Sequence, residues 1–69
     1  MNTKRQIVGL RAARAEASGI IKNLEVRKAR MKSLELYELS QHYVNALSEL
    51  EDLLSFIEQE LAEVEVADE

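Results

Sequence analysis

Cysteine, proline and tryptophan are absent from this chain, and its 69 residues include only two glycines and three aromatic side chains. Each absence excludes something. Without cysteine there is no disulfide framework and no thiolate metal site. Two glycines, Gly9 and Gly19, do not make a phosphate-binding loop. The uncharged apolar runs are a few residues long, far short of the ~20 needed to cross a bilayer. The N-terminal stretch has basic residues but no continuous apolar core, so no secretory signal is expected. The length admits one domain, and a core this small contributes only about 3–5 kcal/mol on its own. With proline absent and glycine scarce, helix is expected nearly throughout.

What is present is charge, strongly partitioned. Residues 1–33 hold all nine basic side chains and two acids, a balance of +7, whereas residues 34–69 hold eleven acids and no Lys or Arg. A division of this kind suits antiparallel helices that neutralise each other, and it also suits a basic half binding an anion or an acidic half binding a basic partner. The first reading needs no ligand.

The second half has the clearer pattern. On a helical wheel Leu36, Leu39, Tyr43, Ala46, Leu47, Leu50, Leu53, Leu54, Ile57, Leu61 and Val64 share one arc. That arc is roughly 120° wide and runs for about eight turns. A coiled-coil seam is narrower; this width suits a helix touching two neighbours in a bundle. Glu51, Asp52 and Glu58 fall on the solvated side. In the first half Leu10, Ala13, Ala17, Ile20, Ile21, Leu24 and Met31 share a face. A second stripe, Val8, Ala12, Ala15, Gly19, Val26 and Ala29, lies opposite. Its small residues read first as helix propensity and second as a face for close helix packing.

Projected onto one continuous helix, the two apolar faces differ in phase by about 80°, which marks a break. The expected turn spans about 31–35, between helices at about 4–31 and 34–65, with a frayed acidic tail at 66–69 and fraying at Met1–Thr3. Ser33 is the expected N-cap of the second helix. Ser18-Gly19 is the competing break point. A hairpin bent near 31–35 brings Lys4 and Arg5 towards Glu63, Glu65 and Asp68, and Lys28 to Lys32 towards Glu35 and Glu38. The expected fold is therefore all-α, an antiparallel hairpin of two long helices. Two helices cannot cover faces this wide, so pairing into a homodimeric four-helix bundle is expected. Its interface draws on Leu10, Ala17, Leu24, Leu36, Leu39, Tyr43, Leu47, Leu50, Leu54, Ile57, Leu61 and Val64.

Catalytic chemistry has little to stand on. His42, the single histidine, follows Glu38 by four residues, but a di-iron bundle uses Glu-x-x-His on the core face, and His42 sits at the edge of the arc. A general acid or base needs a pocket to tune it. No enzyme activity, metal or cofactor is expected. Protein binding is the favoured class. Tyr37, Val44 and Phe56 lie off the apolar arc on an acidic helix, and with Glu51 and Asp52 they are the candidate partner-binding residues; aromatics are enriched at binding hot spots. Packing within the dimer or on the first helix is the competing explanation for them. The expected function is that of a small cytoplasmic inhibitor, adaptor or regulator of a larger protein, of the kind phages and plasmids direct at a host factor, including a nucleic-acid-binding one. The alternative is nucleic-acid binding through the basic surface of Arg11, Arg14, Arg27, Lys28 and Arg30. Their wheel angles form no single stripe, and no aromatics interleave to stack bases. A coiled-coil assembly element is the third reading.

Overall fold

The computed structural model describes residues 3–68, and these form two antiparallel helices joined by a short turn. Helix α1 spans Thr3–Ser33 and α2 spans Tyr37–Asp68. The pair is a rod of 51 × 14 × 14 Å. Its radius of gyration is 15.7 Å, against roughly 11 Å for a rounded domain of this length. Helix α1 passes through Ser18-Gly19 without interruption, so the phase slip between the apolar faces is resolved at residues 34–36.

The turn is built differently from the sequence expectation. Glu35 has φ 62°, the left-handed region that a side chain normally disfavours. Around it the Leu36 amide donates to the Met31 carbonyl at 2.9 Å and the Glu35 amide donates to the Lys32 carbonyl at 3.0 Å. These two bonds make a Schellman closure, which satisfies carbonyls left open at a helix end. Ser33 is therefore not the cap of α2. It is the last residue of α1, and its hydroxyl donates to the Arg30 carbonyl at 2.7 Å. The first bond of α2 runs from the Ser40 amide to the Leu36 carbonyl, so Leu36 occupies the N-cap without a side chain able to accept. Charge assists instead: Glu38 stands in the first turn of α2, and Arg30 and Lys32 in the last turn of α1. At the other end α2 is helical through Val66 and Ala67 to Asp68, beyond the expected limit of residue 65. Thr3 is likewise helical; Met1, Asn2 and Glu69 lie outside the described residues.

The helices pack along a narrow contact. Ile7 and Ala17 of α1 and Leu47, Ile57 and Leu61 of α2 are buried, Leu61 most completely at 3% exposure. Ser40 is buried as well, and its hydroxyl makes a long bond of 3.4 Å to the Lys28 carbonyl. Ala17 at mid-length and Ser40 near the turn are small, which lets the backbones come close there. No large side chain among the described residues is fully enclosed. The second stripe on α1, from Val8 to Ala29, is exposed along its whole length. Within the hairpin its alanines, Ala12, Ala15 and Ala29, serve helix propensity, and the stripe is not part of the buried contact.

Candidate interaction faces

Three parallel rows at seven-residue spacing organise α2. The inner row, Ser40, Leu47, Leu54 and Leu61, lies against α1 and is buried or half-buried. The middle row is Leu36, Tyr43, Leu50, Ile57 and Val64. It is covered from Tyr43 onward and open at Leu36. The outer row is Leu39, Ala46, Leu53 and Glu60; Leu39 is 45% and Leu53 47% exposed. A helix with seven-residue rows on both sides of a shared middle row is apolar towards two neighbours. Only one neighbour is present.

Helix α1 repeats the scheme with more polar members. Its middle row is Leu10, Ala17, Leu24 and Met31, all buried or half-buried. Its inner row is Ile7, Arg14, Ile21 and Lys28, in which Arg14 is exposed and Lys28 half-buried. Lys28 borders a shallow pocket with Val44 and Leu47; a half-buried lysine can cover apolar surface with its stem while its ammonium stays in water. The outer row is Gln6, Ala13, Ile20 and Arg27.

On the side of these outer rows, Gln6, Ala13 and Ile20 of α1 and Leu53 and Glu60 of α2 border one open groove. Its centre is apolar, with Ala13 and Ile20 on one wall and Leu53 and Ile57 on the other, and Glu16, Glu60 and Phe56 stand at its rim. Towards the open end it continues between Gln6, Gly9 and Glu60. On the opposite side of the hairpin, near the turn, Tyr37 and Val44 share a shallow concavity with Lys28 and Lys32. Glu25 and Glu51 extend it along the helices.

The residues singled out from the sequence thus fall into separate places. Ala17, Leu47, Ile57 and Leu61 form the buried contact; Leu10, Leu24, Tyr43, Leu50, Leu54 and Val64 are half-buried beside it; Leu36 and Leu39 are exposed. Tyr37 and Val44 come together, but Phe56 lies on the other face, and Asp52 is exposed and lines neither groove. Among the basic residues, Arg11 donates to the Glu65 carboxylate at 2.6 Å. This is the one ion pair among the described residues. Sequence reasoning directed Lys4 and Arg5 to Glu65; Arg11 arrives there because helical side chains lean towards the N-terminus of their own helix. Arg14, Arg27 and Arg30 are exposed and point in different directions around α1. The burial of Ser40 was missed, although its place in the leucine row at seven-residue spacing could have shown it.

His42 is exposed and borders a shallow depression with Glu38 and Leu39 beside the turn. Among the described residues no group of three His, Asp or Glu is placed to hold a metal ion, and no helix is long and apolar enough to cross a membrane. The fold is that of an all-α helical hairpin. No protein-family model matches the chain, and no curated protein or solved structure matches it either.

Proposed function

We propose that this chain is a non-enzymatic protein-interaction module of the cytoplasm. It pairs with a second copy as a four-helix bundle, and the bundle binds a larger protein as an inhibitor, adaptor or regulator. The observation that carries the reading is the open outer row of α2. Leu53, 47% exposed, and Ile20, 43% exposed, stand on the two walls of an apolar groove, and Leu39 of the same row is 45% exposed nearer the turn. Among the described residues five apolar side chains are buried and eleven large ones are exposed. The contiguous part of that exposed surface, along the groove, supports a contact role. Tyr37 and Phe56, each about 60% exposed, supply anchors for the larger partner.

Nucleic-acid binding by α1 is the alternative. Arg11 pairs with Glu65, Lys28 is half-buried beside the pocket that Val44 lines, and the acidic helix runs alongside. These observations weigh against it.

The test is affinity capture from source-cell lysate, with nuclease treatment and with low- and high-salt washes. One stoichiometric protein retained after nuclease, and lost with Tyr37→Ala or Phe56→Ala at unchanged helicity, supports the proposal. Recovery of nucleic acid that depends on Arg27 and Arg30 overturns it.

A further inference from the structure

We infer that the groove between Ile20 and Leu53 is occupied by a second copy of the chain in a same-ended arrangement, with both turns at one end and α1 of each copy lying over α2 of the other. This rests on the self-pairing reading above and adds its geometry. Surface area sets the need. The hairpin exposes 5451 Å², whereas a rounded monomer of 7.9 kDa exposes roughly 4,400 Å². The excess, roughly 1,000 Å², is close to the ~800 Å² per partner of a standard stable interface.

Charge decides the arrangement. A two-fold axis joining identical grooves lies in the plane between the hairpins. If the axis runs across the helices, the turns point in opposite directions, α1 lies on α1 and α2 lies on α2. If it runs along the helices, the turns meet and α1 lies on α2. Helix α1 carries nine basic and two acidic residues; α2 carries nine acidic and no basic ones. The crossed arrangement therefore stacks +7 on +7 and −9 on −9. The same-ended arrangement stacks +7 on −9 twice. Packed helices are 8–10 Å apart, about one Debye length at physiological salt, so these charges are only partly screened. Single exposed pairs are weak, but the net charges, +7 on α1 and −9 on α2, favour the same-ended choice despite the two acids of α1, Glu16 and Glu25.

The outer rows agree. Rotation about the long axis leaves each residue at its own level. Glu60 is level with Gln6 and Gly9 within the chain, so in the same-ended dimer Gln6 meets Glu60 of the partner subunit. Ala13 and Ile20 then meet the apolar stretch from Leu53 to Ala46. In the crossed arrangement Glu60 would lie against the other acidic helix, where no Lys or Arg is available.

The chain has no cysteine, so a single Ser33→Cys substitution places one spin label at each turn. Mass by light scattering and the label-to-label distance by dipolar electron spin resonance are read on the same sample. The expected result is twice 7.9 kDa with labels below about 30 Å apart. A dimer with labels near the 51 Å length of the rod overturns the same-ended geometry and leaves the self-pairing reading standing. A monomer, or any mass other than a dimer, overturns both. Lys32→Cys gives an independent label position if Ser33→Cys lowers helicity.

Discussion

The Leu36 amide reaches back across Glu35 to the Met31 carbonyl at 2.9 Å, and that bond holds Glu35 at φ 62°. The turn is closed by backbone hydrogen bonds that a glycine would accept without cost. Glutamate accepts them with a left-handed conformation that disfavours any Cβ by roughly 1–2 kcal/mol. Glu35→Gly is expected to stabilise the fold by about 1 kcal/mol, read as a higher urea midpoint at fixed protein concentration. Glu35→Ala retains the Cβ and should gain nothing; an equal gain would locate the effect in charge.

Gly19 sits in the interior of α1, exposed, with open space where a Cβ would go. Gly19→Ala should therefore stabilise by about 0.8–1 kcal/mol through helix propensity alone, seen as a rise in thermal midpoint. Destabilisation would mean that something presses on this position in solution.

Leu61 is the most buried large side chain, at 3% exposure, and belongs to the row facing α1. Leu61→Ala should cost about 2–4 kcal/mol. In a chain whose core contributes about 3–5 kcal/mol, circular dichroism should show a much lower urea midpoint and a fraction of the helix already lost in water. A loss below 1 kcal/mol would mean that α1 and α2 do not pack through this row.

Leu53→Asp tests the outer row. It removes exposed apolar surface and places a carboxylate in the groove of each copy. Self-association should weaken by at least roughly 100-fold in sedimentation equilibrium. Val26→Asp, at a position 71% exposed outside the groove, should leave it unchanged. Equal effects would show that the groove is not the contact.

Arg11 and Glu65 are both substantially exposed, at 57% and 41% of their side chains. Arg11→Met should shift stability by less than about 1 kcal/mol, and the shift should vanish in high salt. A larger, salt-independent loss would reveal a packing role for the arginine stem.

Much of the fold was legible in the sequence, for identifiable reasons. The leucines of α2 recur with a period that only a helix turns into a face, and the 80° slip against α1 required a bend between them. The bend itself was less legible. Ser33 carries the sequence signal for a cap because a hydroxyl is the usual acceptor, but the chain closes the turn with Glu35 in a left-handed conformation, which glutamate's own preferences do not announce. Helix α1 read irregularly because Arg14 and Lys28 occupy its inner row, where a wheel that scores whole residues counts them as polar although a lysine stem packs as hydrocarbon. The pairing of Tyr37 with Val44, seven residues apart, and the separation of Phe56, about 120° round the helix from Val44, are contained in the wheel of α2; what the wheel leaves open is which of these faces α1 borders.

The three rows of α2 differ in the freedom they leave to mutation. Tyr43, Leu50, Ile57 and Val64 would border both seams of the proposed dimer, so that a change in any of them would alter folding and association together. Ser40, Leu47, Leu54 and Leu61 answer to α1 alone, and Leu39, Ala46, Leu53 and Glu60 answer to whatever fills the groove. Recognition can therefore be rewritten along one row while the hairpin beneath is left intact. Repulsive as well as attractive residues can be introduced there to tell one pairing from another, and duplicated copies of such a chain would have a short route to mutually exclusive pairs.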